Sequence, residues 1–546
     1  MLLNLLALSN VCRCCAGVSR LAGALADLGV GRGDRVLIYM PLIPEAIIAM
    51  LATARLGAIH SVVFGGFAAR ELCARIEHAE PKIIIAASCG VEPNKVVRYK
   101  GILNEAIAAS KVKPKNCIIF QRYNVDVAEL EDGFDILWED AIQSSLPHPC
   151  VPVEANEPLY ILYTSGTTDH PWIGRDYSTP QPYPNPNSRH CLYLDQPKGI
   201  LRPVGGHIAT LAWTMRTIYG MNKDDVWWTA SDMGWVVGHS YICYGPLCYG
   251  ITSVMYEGKP DRTPDPGQYF RLIHEHKVNG LLTAPTALRV IKREDPEITK
   301  GRKYSTKTGQ MAQGITLLLD WPADDREVGA RIPVRILRSN GSEADIGELG
   351  RIVVKLPLPP GTMSSLYKAP ERFLQVYFSK FPGYYDTMDA GYRDDFGYIY
   401  VTARDDDVIN VAGHRLSTAA LEDVVMSHPD IGDAAVIGVP ETTKGEIPLC
   451  LFIMKKGARK SEKAISHELV LMVRELIGPI AAFRLSAAVS GLPRTRSGKI
   501  ARKSIADLAR SKSVKIPSTI EDPSVYKNIK EVLQSFGFAK NAPDPK

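Results

Sequence analysis

The chain has 546 residues, enough for several domains rather than one. Hydrophobic residues make up 45% and charged residues 23%, an ordinary soluble globular composition that excludes a disordered chain. A net charge of +5 with no basic stripe of interleaved aromatics gives no case for nucleic-acid binding, and no apolar run reaches the roughly 18 residues of a spanning helix.

The 11 cysteines are scattered. Their one local group, Cys12, Cys14 and Cys15, has no Cys or His pair downstream at ligand spacing, which argues against zinc and for a reduced intracellular protein. The first 26 residues contain Arg13 and Arg20 and no acid before Asp27. Two readings compete there: a mitochondrial transit segment, and from about Gly17 a plain helix, turn and strand.

Strand-like runs follow at Arg35–Met40, His60–Phe64 and Lys82–Ser88. Between them, Glu45–Gly57 and Ala68–Ala79 repeat apolar residues every three or four positions, as helices do. Further strands are predicted at Leu159–Tyr163, Val226–Thr229, Thr252–Tyr256 and Gly280–Thr283. This alternation implies an α/β fold, with mainly parallel sheets covered by helices in a large N-terminal domain, 1–405. From Ile332 the strands crowd together, at Val334–Leu337, Gly350–Leu356 and Gly397–Thr402, and imply a small antiparallel subdomain. A boundary is drawn at the acidic turn Arg404-Asp405-Asp406-Asp407. Beyond it, helices Leu421–Ser427 and Glu462–Leu476 and strands Ala434–Gly438, Leu449–Met454 and Leu485–Val489 suggest a compact α+β C-terminal lid, 406–546. Two stretches break the rhythm. Residues 169–196 hold five prolines and read as an irregular insertion, and Lys300–Ala330 has no clear period.

Several motifs could carry chemistry. "YTSGTT", Tyr163 to Thr168, follows an apolar strand, and its small residues and hydroxyls suit backbone N–H contacts to phosphate oxygens. A surface turn is the plain alternative. No Gly-Lys-Ser/Thr follows, so it is not the Walker A loop of a P-loop kinase. "PKG" at Pro197 to Gly199 precedes a helix-like stretch from about Gly206. "SDMGWVVGHSYICYGPLCYG", Ser231 to Gly250, "TAPT", Thr283 to Thr286, "DTMDAGYRDDFGYIYVTARDDDVINVAGHR", Asp386 to Arg415, and "LPRTRSGKIARK", Leu492 to Lys503, follow in that order.

With these motifs in this order, the chain resembles the adenylate-forming superfamily, and within it the short-chain acyl-CoA synthetases of the acetate and propionate type. The resemblance covers about Val18–Thr168, Pro197–Lys307 and Ile332–Phe538. It implies an ATP-dependent ligation: a short carboxylate and ATP give an acyl-adenylate and pyrophosphate, then the lid rotates and CoA displaces AMP. ATP, CoA and Mg²⁺ are the cofactors implied, with a small carboxylate as partner substrate and the mitochondrial matrix as compartment, the cytosol being the alternative. Thr164, Ser165, Gly166, Thr167, Thr168 and Lys198 resemble the triphosphate loop. Asp389 resembles the carboxylate that holds the ribose hydroxyls, an acceptor-only group facing two donors. Arg404 and Arg415 resemble the ribose- and phosphate-contacting arginines. Asp406 resembles the hinge, and Lys499 the lysine that bridges the attacking carboxylate and the α-phosphate. Trp235, Val236, Val237 and Gly238 resemble the acyl pocket. Glu92, Pro93, Asn94, Lys95 and Arg474 stand where the family contacts CoA. Each also has a plain reading, as a solvated turn acid, a salt-bridge partner, a core stripe or a surface charge. No residue is singled out for the metal.

The chain departs from the family in three places. The family runs YTSGTTGxPKG unbroken, whereas 28 residues here replace the two expected between Thr168 and Pro197. Chain statistics set the extra closure cost at only about 2 kcal/mol. Between "TAPT" and "IPVRIL" the family carries a Gly-Glu segment that frames adenine. It also carries an aromatic-Gln-Thr-Glu-Thr-Gly motif whose Glu holds Mg²⁺ and whose Trp caps the acyl pocket. Neither occurs. Glu294, Glu297, Asp320, Asp324, Asp325 and Glu327 stand outside that context, which points to a deletion within 308–330. The region that normally precedes "RLAGAL" is also short. "GWVVGH" and "STIEDP", Ser518 to Pro523, lean toward propionate over acetate or butyrate. The reading from another class is a non-catalytic relic that keeps the fold of the lid.

Overall fold

A computed structural model describes residues 11–163, 198–302 and 334–545, except positions 66, 93, 94, 261, 296, 298, 405–407, 412, 413, 443, 444, 456, 459, 496, 497, 518 and 519. The chain forms two compact units. The first takes the described residues up to 163, together with 198–302 and 359–370; the second takes 334–358 and 371–545. The antiparallel sheet therefore groups with the C-terminal region, while the boundary drawn at 405/406 lies outside the described residues.

The first unit is built on an eight-stranded sheet, in the order Ser365–Leu366, Gly199–Pro203, Pro158–Tyr163, Ile59–Val62, Arg35–Tyr39, Ile83–Ala87, Asn116–Phe120 and Asp135–Leu137. From Pro158–Tyr163 to Asp135–Leu137 the pairings are parallel. Strand alternation explains its two covered faces. Val36, Ile38, Ile83, Ile85 and Ile118 enter one core with helix Val11–Asp27 and helix Pro44–Arg55, while Leu37, Tyr39, Ile84, Ala86 and Ile119 enter another with helix Ala69–Ala79 and helix Tyr99–Ala109. Helix Pro44–Arg55 starts where Ile43 is extended and Pro44 already has the right φ; Glu45 in its first turn and Arg55 in its last complement the dipole. A second, parallel sheet has the order Thr252–Val254, Val226–Ala230, Gly280–Thr283. Of the two readings of the N-terminal stretch, the helical one describes residues 11–27, whose Val18, Leu21, Ala22 and Leu25 are buried. The helix expected from Gly206 begins at Val204, and the strand Gly199–Pro203 before it was not anticipated.

The second unit holds a four-stranded antiparallel sheet, in the order Val334–Leu337, Gly350–Lys355, Tyr384–Arg393, Ile399–Arg404. It also holds a sheet centred on the long hairpin Ile431–Glu441 and Gly445–Met454. Again alternation sorts the side chains. Ala435, Ile437, Val439, Leu449 and Leu451 pack under helices Arg502–Ala509 and Val525–Ser535. Ala434, Val436, Cys450 and Phe452 pack under helices Thr418–Met426 and Glu462–Leu476. Ser417 and Ser461 cap the latter two helices, accepting from Ala420 N and Ala464 N. Truncating a fully buried residue such as Phe452 to Ala costs about 3–5 kcal/mol.

Candidate active site

In the first unit the phosphate-loop motif leaves the end of a strand and returns on its neighbour. Strands Pro158–Tyr163 and Gly199–Pro203 are antiparallel, with Tyr163 directly opposite Gly199. Thr164, Ser165, Gly166, Thr167 and Thr168 lie outside the described residues, and Lys198 is half-buried at the returning end. The stem is tightly held. Tyr367 N donates to Gly199 O at 2.7 Å, and His78 Nδ1 meets Tyr163 Oη at 2.8 Å. A Cβ at Gly199 would stand 2.8 Å from Ile161 Cγ2, so the strands approach only because that position is glycine.

The acyl-pocket motif turns at Asp232 and enters a helical stretch, Gly238–Tyr244. Asp232 Oδ1 accepts from Gly234 N at 2.8 Å, and Gly238 N donates to Trp235 O at 3.0 Å. Trp235 stands edge-on to Phe64, with centroids 5.8 Å apart. Val236 is 40% exposed, Val237 packs on the Met215, Met221 and Trp227 cluster, and Gly238 is buried against the Asp232 carbonyl and Met233. The core alternative therefore describes Val237 and not Val236.

Behind these two motifs lies a buried group that the sequence reading missed. His60 Nε2 meets Tyr244 Oη at 2.6 Å, and His239 Nδ1 meets Trp235 O at 2.9 Å. His60 and His239 stack at 5.5 Å, and Tyr160 lies 4.5 Å from His239 and 5.4 Å from His207. Burial pushes His207 down to about 3 and His239 to about 4, and holds His60 well below the usual imidazole range. Neutral rings join the phosphate-loop stem, through Tyr160 and His207, to the acyl-pocket segment, through His239. The sequence signal was His239 inside "GWVVGHS"; His60 and Tyr160 meet by sheet register, and His207 and Tyr244 are brought in by helical elements.

Of "EPNK", Glu92 and Lys95 stand opposite each other at the ends of the paired strands Gly90–Glu92 and Lys95–Val97. Pro93 and Asn94 lie outside the described residues, Lys95 is exposed, and Glu92 approaches Lys259 at 3.4 Å.

In the second unit, strand Tyr384–Arg393 bulges. Arg351 pairs with Ala390 and Val353 with Asp386, so Thr387, Met388 and Asp389 oppose Ile352 alone. Thr387 Oγ1 donates to Ile352 O at 2.8 Å, Met388 N donates to Asp386 Oδ1 at 2.9 Å, and Arg351 Nε stands 3.0 Å from Asp386 Oδ1. Met388 takes φ 64°, a left-handed backbone unusual for its type. Asp389 is half-buried and opposite Arg404; Arg415, on strand His414–Ser417, is opposite Asn410. Asp406 lies outside the described residues. Arg474 is exposed in the last turn of helix Glu462–Leu476.

Lys499 is exposed on a tight loop. Thr495 N donates to Lys499 O at 2.8 Å, Gly498 N to Thr495 O at 2.7 Å, and Lys499 N to Thr495 Oγ1 at 3.2 Å. Arg494 ties the loop down through Asp433, at 2.5 Å, and through the Gly498 carbonyl. Among the described residues no group of three or more His, Cys, Asp or Glu side chains could hold a metal ion, and no helix is long and apolar enough to cross a membrane.

Comparison with known proteins bears on this set. The AMP-binding enzyme family matches residues 16–171 and 196–377, and the AMP-binding enzyme C-terminal domain matches 420–499. Acyl-CoA synthetase short-chain family member 3, mitochondrial, of Mus musculus is 46% identical over 558 aligned positions, covering 95% of this chain and 78% of that protein. The Propionate–CoA ligase of Salmonella typhimurium is 34% identical, covering 95% of this chain and 85% of the other. Among solved structures, Acetoacetyl-CoA Synthetase from Streptomyces lividans superposes with a TM-score of 0.79 over 96% of this chain and 81% of that one; at 19% identity the likeness is one of fold.

Proposed function

The chain belongs to the AMP-binding enzyme family, and we propose that it is a short-chain acyl-CoA synthetase that prefers propionate. The observation that carries the reading is the match of 95% of the chain to short-chain acyl-CoA synthetases at up to 46% identity. Enzymes of this family use ATP, CoA and Mg²⁺. The family's Mg²⁺-holding Glu is missing from this sequence and no metal-holding group stands among the described residues, so no residue here is assigned to the ion, whose chemistry would be to neutralise the substrate phosphates.

The roles follow the family motifs. Asp389 and Arg404, on paired strands, suit the ribose, and Lys198 at the stem suits the phosphates. Lys499, exposed on a loop anchored by Arg494, suits the bond-making oxygen and the α-phosphate. Trp235 to Gly238 suit the acyl group, with His239 fixing their backbone through Trp235 O. Glu92 to Lys95, with Arg474, suit CoA. Arg415 suits the phosphates and Asp406 the hinge. The mitochondrial names of the mouse relative and of the Dictyostelium discoideum relative, 38% identical, support a mitochondrial location. The comparisons give no support to a non-catalytic relic.

Two family departures belong to the same proposal. The family match pauses between 171 and 196, and Tyr163 pairs with Gly199 across that interval, which supports an insertion in the phosphate loop. The aligned span with the mouse protein, 558 positions, exceeds the 95% of 546 residues it covers here, so that relative carries residues this chain lacks. The missing motifs between "TAPT" and "IPVRIL" place that shortfall at 308–330 in this reading.

The test is carboxylate-dependent ATP–pyrophosphate exchange and acyl-CoA formation by this chain, with acetate, propionate and butyrate compared. The expected order places propionate first. Equal rates with all three acids would remove the propionate preference, and exchange with none would remove the ligase reading.

A further inference from the structure

The hairpin that carries Glu92 and Lys95 is fastened by a residue outside every motif. Arg122, just after strand Asn116–Phe120, donates from Nη1 and Nη2 to the two carboxylate oxygens of Glu257, at 2.9 and 2.7 Å. Glu257 follows strand Thr252–Val254 of the three-stranded sheet. The same Glu257 Oε1 accepts from Val91 N at 3.2 Å, and Arg122 Nη1 also reaches Cys89 O at 3.3 Å. Both side chains are more than nine-tenths buried, at 7% and 8% exposure. A two-residue clamp thus grips the hairpin at Cys89 and Val91, immediately before Glu92. Lys259, two residues on from Glu257, gives Glu92 a second tie.

A two-stranded hairpin alone is marginally stable. Its order here depends on what it is fixed to, and the clamp joins it to both sheets of the first unit. We propose that Glu257 is a positioning residue for the CoA-dependent half of the reaction: by latching the paired strands Gly90–Glu92 and Lys95–Val97 it holds Glu92 and Lys95 in place for CoA. The inference rests on the reading of 92–95 as a CoA contact. Among the described residues the hydrogen bonds of Glu257 reach Arg122 and Val91, outside the nucleotide motifs, so its effect falls on CoA and not on ATP.

The experiment uses the full chain with Glu257→Gln, and with Arg122→Met and Glu257→Met combined. Breaking one partner of a buried pair can damage folding, whereas removing both charges avoids a stranded one. Titration calorimetry with CoA and with ATP–Mg²⁺ is read beside hydrogen exchange at Val91, Val96 and Val97. Both variants are expected to bind CoA about tenfold more weakly, the equivalent of one charge-assisted hydrogen bond. ATP affinity stays unchanged, the three amides exchange faster, and the double variant keeps the parent melting temperature. Unchanged CoA affinity in the double variant overturns the proposal. So does a parallel loss of ATP and CoA affinity with a lowered melting temperature in both variants, which marks a purely structural role. If the unaltered chain binds no CoA, the CoA reading fails, and the latch stands or falls on the exchange of the three amides alone.

Discussion

Asp389 lies directly opposite Arg404 in the antiparallel pairing of Tyr384–Arg393 with Ile399–Arg404, and the register shifts immediately beyond them, between Ala390 and Gly391. On the other edge of the same strand, Asp389 ends the bulge that opposes Ile352. The site position is thus set by two irregularities flanking one residue, held by Asp386 and Thr387. Asp389→Asn keeps the shape and removes the charge. It is expected to weaken ATP–Mg²⁺ binding about tenfold or more in a calorimetric titration, with the melting temperature unchanged. Equal ATP affinity in the variant would return Asp389 to a plain solvated acid.

Met388 is the strained member of that bulge, at φ 64°. A left-handed backbone costs an L-residue about 1–2 kcal/mol, and glycine escapes it while losing about 0.5–1 kcal/mol of chain entropy. Met388→Gly should therefore raise the unfolding free energy by about 0.5–1 kcal/mol, read from the urea midpoint at constant slope. A lowered midpoint would mean that the methionine side chain contributes more packing than its backbone costs.

Much of this architecture was legible because it depends on period and punctuation. The strand Ile83–Ala87 is an unbroken apolar run bounded by polar residues, and the hairpin strands 431–441 and 445–454 have continuous apolar centres buried on both faces, so each appeared at its place. The strand Tyr384–Arg393 was hidden because its bulge interrupts the two-residue alternation with Asp386, Thr387 and Asp389. Gly199–Pro203 was hidden because its pairing is with a strand on the far side of a long insertion. The candidate site residues Asp389, Lys499 and Lys198 came from the resemblance of their motifs to the family. The clamp Arg122–Glu257 and the pair His60–Tyr244 could not, because their partners stand more than a hundred positions apart and meet only through tertiary packing.

The buried imidazoles make stability depend on pH. Their folded values lie below the unfolded 6.5, down to about 4 for His239 and about 3 for His207, so the unfolded chain binds more protons in that window. The stability they contribute is complete above 6.5 and is lost as pH falls from 6.5 toward 4. Each ring subtracts about 1.4 kcal/mol per pH unit well inside the window. His239→Gln should flatten the fall of the urea midpoint between those limits. An identical slope in the variant would mean that His239 is not protonated on unfolding at these pH values.

Lys499 sits on a loop whose own hydrogen bonds, Thr495 to Lys499 and Gly498 to Thr495, fix its backbone without using its side chain. Lys499→Ala should therefore leave the fold intact. It should abolish carboxylate-dependent pyrophosphate exchange while sparing CoA transfer from a supplied acyl-adenylate, because stabilisation of the α-phosphate is needed only in the first step. Equal loss of both half-reactions would falsify that division.

The insertion offers the last test. Tyr163 and Gly199 are paired whatever joins them, and their pairing is fastened from outside by Tyr367 N on Gly199 O and by His78 on Tyr163. Burial holds the Tyr163 hydroxyl well above its ordinary value and His78 below its own, so both stay neutral and bonded at physiological pH. The stem therefore does not need residues 169–196 to stay closed. Replacing them by two residues restores the family length of the loop. It shortens the joining segment from 28 residues to two, and each halving returns about 0.6 kcal/mol of closure entropy, so stability should rise by about 2 kcal/mol. A shorter loop also confines the hydroxyls and backbone donors of 164–168 near Lys198, so ATP–Mg²⁺ affinity should rise with it. Differential scanning calorimetry and ATP titration of the two lengths decide the matter. If the shortened chain is less stable and binds ATP no better, the 28 residues are not a passive insertion and contribute packing of their own.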